Sequence, residues 1–306
     1  MMETFPIFFL SAKNNPGNTH SLEHALSCLE TGWLYTLQSE FLPNIRDDVI
    51  KEQAIMYLER AIFLCEEVRK LSKVKGQTIL KFSLNDAASY PVHVKALLEG
   101  HPIQFLHGSA TYLLARIHQG WNDDREHQQL AFDLFCESVR TTMLPNTSQL
   151  WAEAHHRAAT IAIKHPYIID SDYKKEVYHA NSDLNIEAAI SHFLRALRCN
   201  VLSKTFVMDL HFHVAQAYIA RLQLLMDKVP QGQSLTRALE RDGLDTIYDI
   251  EVHLKEALKR VTAASNETVQ EGYYTLYHTI HTMIKTYILA SAVGSIAAIE
   301  VPSTVL

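Results

Sequence analysis

Four nine-residue segments, AIMYLERAI (54–62), AFDLFCESV (131–139), AISHFLRAL (189–197) and IEVHLKEAL (250–258), superimpose without a gap. Each opens on a small or apolar residue (Ala54, Ala131, Ala189, Ile250) and carries a large one four positions on (Leu58, Phe135, Phe193, Leu254). A small one follows three later (Ala61, Ser138, Ala196, Ala257). Steps of four and then three return to one face of an α-helix. Small, large, small on that face lets a neighbouring helix approach closely at both ends and receive the bulky side chain between them. A chain that repeats this device four times is restricted to helices packed in pairs.

A second set of segments lies between these. WAEAHHRAATIAI (151–163) and VMDLHFHVAQAYI (207–219) align at a constant offset of 56, from 207 less 151. The offset matches Glu153 with Asp209, His155 with His211, Ala159 with Ala215 and Ile163 with Ile219. FLHGSATYLLARI (105–117) joins them, with Phe105, Ser109 and Tyr112 in the equivalent places. The order is a first-type (A) helix followed by a second-type (B) helix, repeated three or four times.

Apolar residues at i, i+3, i+4 and i+7 predict helices near 20–37, 50–71, 103–119, 127–143, 149–164, 184–199, 205–227 and 246–263, then 268–298 as one helix or two. Breakers separate them, as in LPN (42–44), LPNTS (144–148), HPYIIDSD (165–172) and VPQGQS (229–234). The stretch 72–102 is least regular, and TILKFSL (78–84) has the composition of a short strand. Only 10 Gly and 9 Pro occur in 306 residues, so little of the chain is built for tight turns. No low-complexity linker interrupts it. The expectation is one elongated domain over 1–306, with a cap helix and loop at 1–49, core repeats at 50–263 and a capping helix and tail at 264–306.

AISHFLRA (189–196) and HFHVAQAY (211–218) carry a resemblance to the tetratricopeptide repeat family. The family's second helix bears A-x-x-x-F-x-x-A, and its first bears a large residue, then Leu-Gly or Leu-Ala, then Tyr. His211 stands where the family prefers Trp, followed by Val214-Ala215 and Tyr218. The resemblance covers roughly 50–263. The B motifs are spaced 77, 58 and 61 residues apart (131 less 54, 189 less 131, 250 less 189), against a family unit of about 34. The extra length falls mainly in the A-to-B connections, for example 164–183. The implied fold is all-α, stacked antiparallel helix pairs forming a tetratricopeptide-like superhelix; an irregular all-α bundle is the alternative. The implied function is a scaffold or adaptor that binds a peptide or protein on the concave face lined by A helices. There His155 and His211 take the packing position, and Glu153, His156, Arg157 and Thr160 face outward on one helix, with Asp209, His213 and Gln216 on the next. The family's Lys and Asn clamp for a peptide carboxyl terminus is absent from these positions.

Charge narrows the partners. The 28 Lys plus Arg against 34 Asp plus Glu give a net charge of −6, and no basic run exceeds a pair, so nucleic acid is not expected. Cys28, Cys65, Cys136 and Cys199 form no C-x-x-C pair and read as reduced helix cysteines. The N-terminal MMETFPIFFLSAKNN lacks a basic start and a long apolar run, and so does not read as a secretory signal. TYILASAVGSIAAI (286–299) is uncharged over 14 residues, short of the roughly 20 that span a bilayer. Its small residues suit capping of the array or self-association. A soluble, cytoplasmic chain with no membrane and no cofactor is the expectation.

One string competes with the scaffold reading. HSLEH (20–24) matches H-x-x-E-H, in which two histidines one turn apart hold a metal and the glutamate acts as general base. His20 and His24 would be ligands, Glu23 the base and Glu99 a third ligand, making a metal-dependent hydrolase. The simpler reading is a helix beginning near Ser21 with polar residues in its first turns. His278 and His281 (HTIH) share a face with no acid beside them, and His155 and His156 diverge by about 100°. No Walker, dinucleotide-binding or nucleophile-elbow motif occurs.

Overall fold

The computed structural model describes residues 18–41, 47–75, 101–122, 124–141, 149–165, 167–168, 182–200, 202–227 and 237–264, and part of 271–285. The eight helices bounded within them are α1 (Asn18–Phe41), α2 (Asp47–Lys75), α3 (Pro102–Gln119), α4 (Arg125–Thr141), α5 (Gln149–Lys164), α6 (Ser182–Leu197), α7 (Lys204–Asp227) and α8 (Arg237–Ala264). No strand occurs among the described residues. The segments read as strand (78–84) and as uncharged C-terminal helix (286–299) lie outside them, as does Glu99. No described helix is long and apolar enough to cross a membrane. The fold is all-α, with helices packed in adjacent pairs.

Packing divides the chain into two compact units, Met1–Ala158 and Ala159–Leu306. In the first, α1 lies on α2, α2 on α3, α3 on α4, and α1 also touches α3. In the second, α6 lies on α7 and α7 on α8.

The repeated motif is what these pairs are built around. All twelve of its positions on α2, α4, α6 and α8 are 2 % exposed or less. Several of them meet partners suited to their size. Leu58 packs where α1 has Gly32, so closely that a Cβ on Gly32 would lie 2.7 Å from Leu58 Cγ and Cδ2. Beside that contact the rings of Tyr35 and Tyr57 stack at 5.9 Å. Phe135 tilts against Tyr112 of α3 at 5.6 Å, and Ser138 Oγ donates to the Gly108 carbonyl at 2.9 Å. Phe193 stacks on His213 at 5.7 Å, and Ala257 joins Met208 in a core that Phe212 covers. Small residues therefore set how near the helices come, and the large residue fills what remains.

Helix ends follow local chemistry. Pro102 sits at the start of α3, where its missing N–H costs nothing. Asp124 caps α4, its Oδ1 accepting from the N–H of Glu126 at 2.8 Å and of His127 at 3.1 Å. Gln128 Nε2 donates to the carbonyls of Gln119 and Trp121 at 3.0 and 2.9 Å, closing the α3–α4 corner. The helix expected from 246 begins instead at Arg237. Gly243 is buried inside α8 with Ile247 and Ile250, and such packing outweighs a glycine's propensity cost of about 1 kcal/mol. All four cysteines are buried thiols, and burial pushes Cys65 up to about 12.

Gly32→Ala gains helix propensity of about 1 kcal/mol but forces a buried Leu58 aside, so a net destabilisation of about 1–2 kcal/mol is expected. Urea denaturation of Gly32→Ala, Leu58→Ala and the double variant checks it. The double variant should cost less than the two single changes summed, and simple additivity would show that the two residues do not press on each other.

Candidate functional site

In the first unit, neighbouring A helices are tied by polar side chains. Burial pushes the Tyr112 hydroxyl pKa up, so the group stays protonated, and it donates to Glu153 Oε2 at 2.8 Å. The Tyr112 hydroxyl oxygen accepts from Arg157 Nε at 3.2 Å, while Arg157 Nη1 donates to Gln119 Oε1 at 2.8 Å. Gln149 Nε2 adds a bond to Glu153 Oε1 at 2.7 Å. One turn farther along α3, Arg116 makes a two-pronged ion pair with Glu40 of α1 and lies 5.9 Å from the Tyr112 ring centre. A continuous run, Glu40–Arg116–Tyr112–Glu153–Arg157–Gln119, thus crosses α1, α3 and α5.

Each unit also holds a histidine pair bridging an A helix and the helix after it. His118 and His127 approach Nδ1 to Nδ1 at 2.8 Å, and His211 and His253 at 2.9 Å. Two imidazoles at that distance share one proton, so at least one ring must be neutral with its Nδ1 accepting. Burial, reinforced by the neighbouring imidazole, lowers both His118 and His211 to about 4. Aromatic contacts complete each cluster. Trp121 stacks on His127 at 4.3 Å with Lys51 Nζ 4.8 Å from the indole ring, and Tyr218 stacks on His253 at 6.1 Å. The Tyr218 hydroxyl is pushed up to about 12, mainly by burial.

The expected outward residues have differing fates. Glu153 and Arg157 are half-buried members of the Tyr112 network rather than an open surface. His156 and Thr160 on α5, and Asp209 and Gln216 on α7, are half-buried. His213 departs from the surface role expected of it. Its ring stacks on Phe193, it hydrogen-bonds the Asp209 backbone, and burial lowers its pKa. The packing positions behave as their alignment implies. His155 is 1 % exposed with its ring edge-on to Trp151 at 4.3 Å, and His211 is half-buried in its pair.

Of HSLEH, Glu23 is half-buried and His24 exposed on α1, which starts at Asn18 rather than Ser21. The side chain of His20 lies outside the described residues with Glu99. Among the described residues, no three His, Cys, Asp or Glu side chains gather as a metal would need. His278 and His281 flank Tyr277, at ring distances of 5.8 and 5.7 Å. The networks themselves carried little warning in the sequence. Tyr112 and Glu153 are 41 residues apart and Arg116 and Glu40 are 76 apart. One signal existed for the second histidine pair, because His253 occupies the fourth place of a repeated B motif opposite the aligned His211.

Two outcomes follow from this geometry. Tyr112→Phe strips a hydrogen bond from both Glu153 and Arg157, and a cost of about 1–3 kcal/mol in denaturant titration is expected. For the histidines, a folded pKa below the ordinary 6.5 means that the unfolded chain takes up protons first as pH falls. The stability they contribute is therefore complete above pH 6.5, lost progressively down to about 4, and constant below that. Thermal melts across this window should show Tm falling with acidification, and a His118→Gln/His211→Gln variant should flatten the slope.

Compared with protein-family models, with curated proteins and with solved structures, the chain matches none.

Proposed function

We propose that this chain is a non-enzymatic, tetratricopeptide-like scaffold that binds a protein or peptide partner through the polar face of its A helices. One observation carries the reading: the same three-residue packing device is buried on four B-type helices that alternate with A-type helices. Stacked helix pairs of this kind present side chains from neighbouring helices on one face, and repeat arrays use such faces for binding. The Tyr112 network supports it further. By locking Glu153 and Arg157 to Tyr112 and Gln119, it holds α5 against α3, and a fixed surface loses less entropy when a ligand binds. Recognition then falls, within Met1–Ala158, to His156 on α5 and, separately within Ala159–Leu306, to Thr160 on α5 and to Asp209 and Gln216 on α7. A cytoplasmic location fits this role.

The test is affinity recovery of partners by the full chain and by a His156→Glu/Gln216→Glu variant whose helicity is verified by circular dichroism. A specific partner should be recovered by the wild type and reduced about tenfold or more by the variant, the effect of losing one contact of about 1.4 kcal/mol. Equal recovery by the two proteins would remove the A face from the reading.

A further inference from the structure

α2 carries a second surface that the repeat device leaves unused. Opposite its buried residues Ala54, Leu58, Ala61 and Cys65 stand Val49, Met56 and Phe63, at 54, 50 and 47 % exposure. They recur every seventh residue, two helical turns or about 10.5 Å apart, so they form one stripe about 21 Å long. Glu52, Glu59 and Glu66 repeat at the same interval along its edge and are exposed. Beside the stripe the Arg60 guanidinium lies 5.3 Å from the Phe63 ring centre, and at the end of the acidic row Glu66 lies 3.9 Å from His107 Nε2. Between the stripe and α1 runs a groove of about 610 Å³, lined by His24 and Cys28 on one side and Ile55, Met56, Arg60 and Phe63 on the other.

We infer that this groove is a docking site for a basic amphipathic helix of a partner protein, a proposal that rests on the reading of the chain as a binding scaffold. The seven-residue recurrence is the spacing at which a second helix seats its own apolar residues. Met56 and Phe63 supply adaptable and aromatic contact area. The acidic row selects the occupant. A second copy of this chain, related by twofold symmetry, would set Glu rows against Glu rows and be repelled. The chain's own residues 1–17 carry only Lys13 against Glu3, so they offer no basic flank. A helix with Lys or Arg beside its apolar stripe satisfies both halves of the surface.

Fluorescence anisotropy with the full chain tests this, using labelled peptides of roughly three heptads. The probes are one helix of Leu and Lys, its counterpart of Leu and Glu, and a scrambled Leu and Lys control. The Leu–Lys helix should bind, and both other probes should bind about tenfold more weakly or worse. Met56→Asp and Phe63→Asp should each weaken it about tenfold while leaving the melting temperature unchanged, because both side chains are half exposed. Glu52→Lys/Glu59→Lys should transfer the preference to the Leu–Glu helix. Equal binding of all probes, or Met56→Asp and Phe63→Asp variants that bind like wild type, would overturn the proposal. So would a wild-type dimer in sedimentation that Met56→Asp makes monomeric, or binding that appears only after residues 1–17 are deleted. The His156→Glu/Gln216→Glu variant should bind the Leu–Lys helix normally. If no probe binds but that variant still loses its partner, the groove falls and the scaffold stands; the converse result leaves the groove and removes the A face.

Discussion

Distance between helix axes is what this architecture depends on, and small residues fix it. Where Gly32 faces Leu58, the absence of a single Cβ lets α1 and α2 settle against each other. Where Gly108 faces Ser138, the hydroxyl reaches the carbonyl of the next helix directly, so the close approach also satisfies a buried polar group. A larger residue at Gly32 would push the helices apart and open voids around Leu58, which is fully buried. The second unit relaxes this. His213 stacks on Phe193 where a smaller side chain would leave space, so an imidazole serves as packing.

Apolar packing explains how helices pair but not how one pair is oriented on the next. In the first unit that task falls to charged and hydroxylic side chains. Tyr112 is central because its hydroxyl gives to a carboxylate and takes from a guanidinium at once. Directional bonds of this kind tolerate little rotation between α3 and α5, whereas interdigitated methyl groups admit several arrangements of similar energy. The histidine pairs do comparable work between helices adjacent in sequence, with the difference that their bond depends on one imidazole staying neutral.

The sequence disclosed some of this because of how the information is stored. The B motif is local, three residues within eight positions, and its periodicity alone places Ala189, Phe193 and Ala196 on one face. The A-helix alignment likewise identified His155 and His211 as packing residues, because equivalent places in a repeat share an environment. The polar run from Glu40 to Gln119 was hidden for the opposite reason. Its members come from three separate helices, and nothing in the sequence around Arg116 or Glu153 distinguishes them from residues on a solvated face. His213 was misjudged for a related cause: its place on the helical wheel faces outward from α8 but toward Phe193 of α6, and a single-helix projection does not know about the third helix. The stripe at Val49, Met56 and Phe63 was visible in principle, but a seven-residue recurrence merges with the stronger pattern of the buried face beside it.

The distribution of indole groups has an optical consequence. All three tryptophans, Trp33, Trp121 and Trp151, belong to the unit Met1–Ala158. Emission excited at the red edge of the absorption band therefore reports on that unit alone, while far-ultraviolet dichroism reports on helices in both. The molecule carries a native label that separates the melting of its two halves.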